Sequence, residues 1–409
     1  MATDILIKDG LLSTSEGLKK ADILIRDGLV QTISDSIATD GARVVDASGK
    51  LVTYGLADVH VHFREPGFSY KETIATGSSA AARGGYTAVC TMPNLSPVPD
   101  SPEHLQQELE LIGKEAVVDV RPYAAITIGR KGAETVDIVA LKNVAVGFSD
   151  DGSGVQDPVI MEQSMRRAAA EDVILAAHCE DNSLLPSPES EWGQIRRDIA
   201  LAEKTGCRYH VCHISTKESV DLIREAKKRG VNVSCETAPH YLLLDESDVR
   251  DEGRFRMNPP LRSPEDRQAL LEGLADGTID MIATDHAPHS EEEKSKGFAG
   301  SLMGVVGLET AFPLLYTYLV KRGIISLQKL LSLMCAAPRE RFRIGGVLAE
   351  GQSADIAVFD LERHWTVDSS EFRSIGRSTP FEGWEADGRC VMTIYRGTVV
   401  YEEEKKDKI

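Results

Sequence analysis

The chain lacks several features that would fix its class at once. No run approaches the roughly eighteen consecutive apolar residues of a membrane-spanning helix. The start, MATDILIKDG, has no basic segment leading into an apolar stretch and a small-residue cleavage site, so a cytoplasmic protein is the expectation. The seven cysteines, at 90, 179, 207, 212, 235, 335 and 390, include no C-x-x-C pair, which argues against a disulfide framework or a zinc ribbon. Positive charge is short as well: 46 Lys and Arg face 64 Asp and Glu, a net charge of −18, so neither nucleic acid nor an anionic membrane surface is an expected partner. An anionic small-molecule substrate would need a local concentration of positive charge. Histidine is scarce too, with ten in 409 residues.

Despite that scarcity, the stretch DVHVHFREPG places His60 and His62 one residue apart inside an apolar run. In a β-strand residues i and i+2 share a face, so the two imidazoles project together and can hold one metal ion. The rest of the chain has the make-up of an ordinary globular protein, 42% apolar and 27% charged, long enough for one large domain and a smaller one.

Eight β-rich apolar runs recur along the middle: LADVHVHF, TAVCTMPN, DVRPYAAIT, VAVGFSDD, VILAAHCE, RYHVCHIS, NVSCETAPHYL and DMIATDHAPH. Helix-like segments separate them, several opening on a capping pair such as Ser69 with Glu72 or Ser215 with Glu218. Eight strand–helix units over roughly 290 residues fit an α/β fold of the closed (β/α)8 TIM-barrel type over 55–346, with a doubly wound open sheet as the competitor. Residues 1–54 and 347–409 show short alternating strands with Asp-Gly turns and are expected to pair as one composite β-sandwich domain, the EEEKKDKI tail being a solvated end.

In such a barrel the reactive side chains sit at the C-terminal ends of the strands. The polar residues that close the runs are His60, His62 and Arg64, then Asn94, Asp150 and Asp151, His178, His213, and Asp285 with His289. Six of the ten histidines, counting His286, fall at these positions. Imidazole and carboxylate together suit Zn²⁺ or a similar divalent ion, with one carboxylate free to bridge two ions. By alternation His210 faces away from His213. His240 is open to a stacking or supporting role, and Asp58 either orients a histidine or begins its strand.

The motifs DVHVHFREPG, TMPN, FSDDG, AHCEDNSL, CHISTKES, MNPPLR and TDHAPH resemble those of the amidohydrolase superfamily and, within it, the class I bacterial dihydroorotases. The likeness covers nearly the whole chain, including GQSADIAVFD near the end. It implies a barrel with one or two Zn²⁺ ions per subunit and the reversible cyclisation of N-carbamoyl-L-aspartate to L-dihydroorotate in pyrimidine biosynthesis. It implies His60, His62, Asp151, His178, His213 and Asp285 as metal ligands, and Asp285 as the proton shuttle. Arg64, Asn94 and His289 would clamp the substrate carboxylate, with His62 beside them. Asn258 and the backbone at Met303 and Gly304 would meet the ring edge. A homodimer, and association with aspartate transcarbamoylase, belong to the same expectation.

Hydantoinases and allantoinases usually bridge their metals with a carboxylated lysine. Here the matching strand ends in SDDG with no lysine at its tip; adjacent residues face opposite ways and the resemblance favours the second aspartate, so Asp151 rather than Asp150 is the expected bridge, and Lys142 reads as a solvated lysine at a helix end. Two other readings stay open: a hydantoinase- or allantoinase-like cyclic amidohydrolase, and a silent dihydroorotase-like scaffold subunit, which would be expected to have lost ligands. The segment between His178 and His213 is shorter than in many members of the family. Residues 290–304 form either a mobile lid or an ordinary surface loop.

Overall fold

The computed structural model describes residues 4–14, 17–39 and 41–404; the basic end of the tail, 405–409, lies outside the described residues. The chain opens with β1 (Ile5–Thr14), β2 (Gly17–Arg26), β3 (Leu29–Ser34), β4 (Arg43–Asp46) and β5 (Leu51–Tyr54). Asp27 and Gly28 both take positive φ, 50° and 79°, the turn geometry that matches strand twist and joins β2 to β3 as a tight hairpin. A bulge between Ile7 and Gly10 bends β1, so that its first half pairs with β4 and its second half with β5. Gly10 is required there, since a Cβ would lie 2.5 Å from Val52 Cγ2.

After β5 come the central strands β6 (Leu56–Val61), β7 (Tyr86–Thr91), β8 (Asp119–Pro122), β9 (Ile174–Ala177), β10 (Arg208–Val211), β11 (Val233–Thr237) and β12 (Met281–Ile282). The sets β6-β7-β8 and β9-β10-β11-β12 are each parallel. The fourth predicted run is too short to count as a strand, yet it joins the two sets. Phe148 bridges Ala124 on one side and Leu175 on the other. A parallel bridge from Val61 to His286, with the His62 amide donating to the His286 carbonyl at 2.8 Å, closes the ring. The result is a closed eight-membered barrel whose interior is packed with Val59, Cys90, Met92, Tyr123, Ile174, Met281 and Phe342. A second apolar layer joins the outer faces of the strands to the surrounding helices.

Two capping expectations shift by a residue or more. The helix Ile74–Arg83 is capped by Thr73, because Glu72 is buried and bound to Ser374, Thr76 and His286. The helix Lys217–Lys228 is capped by Thr216, because Glu191 takes both the amide and the hydroxyl of Ser215.

The chain ends in β13 (Ile356–Thr366), β14 (Glu385–Tyr395) and β15 (Thr398–Glu402), which extend the first sheet in the order β15-β14-β13-β5-β1-β2-β3. Its two ends meet: a Cβ on Gly397 would lie 2.6 Å from Gly28 Cα, and one apolar cluster runs from Ile23 and Val30 to Ile356 and Ile394. Between β13 and β14 the chain returns to the barrel, where Phe372 and Phe381 join the barrel's apolar layer and the Ser378 carbonyl accepts from the Val306 amide at 3.0 Å. Among the described residues no helix is long and apolar enough to cross a membrane.

Candidate active site

The six predicted ligands converge at the C-terminal mouth of the barrel. Asp151 Oδ1 lies 3.4 Å from His60 Nε2, 3.4 Å from His213 Nε2 and 3.8 Å from His178 Nδ1, while its Oδ2 lies 3.5 Å from His62 Nε2. Asp285 Oδ1 is 3.1 Å from His62 Nε2 and 3.6 Å from His60 Nε2. His178 Nδ1 and His213 Nε2 face each other at 3.0 Å. Two overlapping groups result, His60, His62 and Asp285 on one side and His178 and His213 on the other, with Asp151 touching both.

This set fits a divalent metal. Among the described residues, His60 Nε2, which faces Asp151 and Asp285, is buried with no hydrogen-bond partner, and a buried donor or acceptor left unpaired costs about 1–3 kcal/mol. Clustered imidazoles and carboxylates with free nitrogens are the donor set for one or two such ions. Asp150 turns the other way, accepting from the Ile126 and Thr127 amides at 2.8 and 3.1 Å. Lys142 pairs with Glu171 at 2.6 Å, away from the site.

Backbone geometry just past the strands aims several of these groups. Arg64, His213 and Asp285 have φ of 61°, 33° and 48°. Left-handed backbone at a non-glycine residue costs of order 1–3 kcal/mol and persists where its surroundings fix it. It also defeats the alternation rule for His210. β10 ends at Val211, and the turn beyond it brings His213 to the pocket although His210 also points inward. His210 Nε2 lies 3.1 Å from Glu236 Oε2, and its Nδ1 lies 2.8 Å from Ser234 Oγ.

Glu236 is the main group that sequence reasoning missed. Its Oε1 is 2.6 Å from His60 Nδ1. A carboxylate there takes the Nδ1 proton and leaves Nε2 as the lone pair facing Asp151 and Asp285. Burial pushes the Glu236 carboxyl up, but His60 and His210 outweigh it and bring it to about 2. The signal was present, since Glu236 is the inward polar residue near the end of β11, the seventh barrel strand. Asp58 acts through the backbone, accepting from the amides of His60 and Thr284 at 3.0 Å each. His240 packs edge-on against Tyr241, and burial brings it to about 4, so it is neutral.

The cavity above the cluster measures about 180 Å³ and is lined by every predicted site residue except His60, which lies beneath. A larger hollow of about 760 Å³, between Tyr54 and Arg339, has no such convergence of donors. Arg64 is 7% exposed; its Nε donates to the Pro288 carbonyl at 3.1 Å, and it stays charged although burial lowers it to about 10. Asn94 Oδ1 lies 2.8 Å from His62 Nδ1, so it also orients that ring. His289 is neutral, brought to about 3 by burial and by the nearby Arg64 and Lys71 charges. Its Nε2–H donates to the Met303 carbonyl at 2.9 Å, and its Nδ1 accepts from Lys71 at 3.2 Å. Lys71, also missed from the sequence, lies behind His289 and pairs with Glu293 at 3.0 Å. Asn258 Nδ2 stands 3.4 Å from His178 Nε2.

Comparison with known proteins points the same way. Residues 49–189 match the family model described as dihydro-orotase-like. The chain is similar to a dihydroorotase from Bacillus cereus, 46% identical over 425 residues that cover 99% of this chain and 95% of that one, and to one from Bacillus anthracis with the same identity and coverage. Among solved structures it is similar to an L-hydantoinase (dihydropyrimidinase) from Arthrobacter aurescens, with TM-score 0.90, 29% identity, and 99% and 97% of the two chains covered. A D-hydantoinase (dihydropyrimidinase) from Thermus sp. superposes with TM-score 0.87 at 28% identity, covering 97% of this chain and 95% of that one. Barrel, buried donor cluster and near-full-length similarity agree: the chain belongs to the dihydroorotase family of the amidohydrolase superfamily.

Proposed function

We propose that the protein is a metal-dependent cyclic amidohydrolase that interconverts N-carbamoyl-L-aspartate and L-dihydroorotate, as a cytoplasmic enzyme of pyrimidine biosynthesis. The observation that carries this reading is a charged guanidinium, Arg64, almost wholly buried in the cavity that also holds Asp285 and its histidines. A buried cation with spare donors in so acidic a protein calls for an anion, and a planar fork matches a carboxylate.

His60, His62, Asp151 and Asp285 would hold one ion, and Asp151, His178 and His213 a second, with zinc favoured by the donor set. When bound, such ions lower the pKa of water from 15.7 to about 7 and polarise a carbonyl oxygen. The remaining work falls to the chain. Arg64, with Asn94 and His289, fixes the substrate carboxylate and so the ring, a contribution worth several kcal/mol when the reacting atoms are held in line. Asn258 and the backbone of Met303 and Gly304 face the ring edge. Asp285 takes the proton of the attacking water at its carboxylate and passes it to the departing ring nitrogen; in cyclisation the same oxygen collects it from the carbamoyl nitrogen and gives it to the departing hydroxide, which leaves as water. Burial works against ionisation of Asp285, but the hydrogen bond from His62 and the charge of His60 hold it below the usual carboxylate range, ready to accept.

The hydantoinase-like fold supports a second reading, a cyclic amidohydrolase of neutral rings, but it gives Arg64 no task. Assays of dihydroorotate, hydantoins and allantoin in parallel, with metal analysis of the purified protein, test the choice. Turnover of dihydroorotate with one or two zinc ions per chain is expected, and turnover of only the other two would overturn it. Assembly as a homodimer, with or without aspartate transcarbamoylase, belongs to the same proposal and is read by native mass.

A further inference from the structure

One buried cation has no part in the chemistry described above. The stretch 290–304 forms two short helices, Glu291–Lys294 and Gly297–Gly300, at the rim of the pocket. The side chain of Lys294 turns inward and is 9% exposed. Its Nζ donates to three backbone carbonyls, those of Leu302 at 2.7 Å, Gly304 at 2.7 Å and Arg256 at 3.0 Å. An ammonium has three N–H groups, so the set is full.

The three carbonyls belong to two separated stretches that both border the substrate cavity. One leads into Asn258. The other contains Met303, whose carbonyl accepts from His289, and Gly304, whose amide donates to the Arg256 carbonyl at 2.9 Å. Gly304 has φ of 142°, and a Cβ there would lie 2.5 Å from the Ala287 carbonyl oxygen and 3.0 Å from His289 Cδ2. The backbone at 304 therefore runs close beside the His289 imidazole, with no room for a side chain between them.

We propose that Lys294 is a positioning residue of the substrate pocket: its ammonium ties the stretches 256–258 and 302–304 together and thereby sets where His289 and Asn258 meet the substrate. The inference rests on the dihydroorotase reading for its substrate, but the pin itself is a property of the resting protein. Charge matters to it. Burial, then repulsion from Arg256, lowers Lys294 to about 7. Glu293, on the same turn, is occupied by Lys71 at 3.0 Å and by the Ser290 amide, which donates to it at 3.1 Å; Glu252, Arg254, Glu291, Arg377 and His289 line the open hollow beside it. A neutral amine keeps two N–H groups for three carbonyls, so the tie loosens as pH rises through neutrality.

The metal-loaded protein and its Lys294→Met and Lys294→Arg variants decide the matter by three readouts: KM against kcat, metal content, and amide hydrogen exchange at Gly304 without substrate. Lys294→Met is expected to raise KM for dihydroorotate about tenfold, in line with the loss of charge-assisted hydrogen bonds, with kcat within about twofold and metal content unchanged. Exchange at Gly304 should quicken about tenfold, and Lys294→Arg should recover part of both effects. In the wild type, KM should climb from about pH 7 to about pH 9, and in Lys294→Met it should not. Unchanged KM and exchange in Lys294→Met, or an equal fall in kcat, would overturn the proposal. If that variant does not fold, a wild-type KM flat over the same pH range does so. A wild type inactive on dihydroorotate would instead sink the function, leaving the exchange result to judge the pin.

Discussion

His60 Nδ1 and Glu236 Oε1 lie 2.6 Å apart in the barrel, below the cluster that His60 serves with its other nitrogen. The carboxylate fixes the tautomer and the tilt of the ring, and His210 holds the carboxylate from its far side. Removing such a partner typically weakens metal binding 10- to 100-fold. Glu236→Gln is therefore expected to lose its bound metal to a competing chelator at about tenfold lower chelator concentration, with the fold unchanged by circular dichroism. Equal retention of metal would show that His60 needs no such support.

Asp285 is buried beside His62 and at the cavity floor. Loss of a general acid–base group removes about 10²–10⁴ of the rate. Asp285→Ala should fall by at least that range in kcat while remaining folded. Near-normal turnover would remove Asp285 from the proton path.

On the proposed function, Arg64 is the group that distinguishes a ring that carries a carboxylate from one that does not. Truncating one partner of a buried charge pair costs about 2–5 kcal/mol. Arg64→Met should therefore raise KM for dihydroorotate by about 30-fold or more, while kcat/KM measured on dihydrouracil, which lacks the carboxylate, should stay within about twofold. Equal losses on both substrates would mean that Arg64 holds the pocket's shape instead.

A pH effect on stability should come from Glu108, on the helix Pro102–Glu115, outside the cluster around Asp151. Burial lifts its carboxyl from 4.5 to about 8, opposed only in part by the Thr91 hydroxyl, which donates to Oε1 at 2.7 Å. Between those values the folded protein keeps a proton on Glu108 that the unfolded chain has lost, so this group's contribution to stability is full below about 4.5 and is lost as pH rises to about 8. Glu108→Gln cannot ionise. Thermal midpoints should fall several degrees more in the wild type than in this variant across the window, and parallel curves would contradict the assignment.

The sequence by itself determined the repeating strand–helix order and the inward pair His60 and His62, because side-chain alternation along a regular strand is a local property; the preference for Asp151 over Asp150 rests on resemblance, since their run is too short to form a strand. It also marked the polar residues at the strand ends, since a barrel collects them at one mouth. Only the tertiary structure decided how those ends are aimed and supported. His213 and Asp285 lie past their strands on left-handed backbone, where period two no longer holds, which is why the parity argument misplaced His210. Glu236 meets His60 across 176 positions, and Ser374 reaches Glu72 across 302, from a segment that composition assigned to the terminal sheet. Such pairings follow from closure of the ring and the return of the C-terminal chain onto it, and local periodicity carries no record of either.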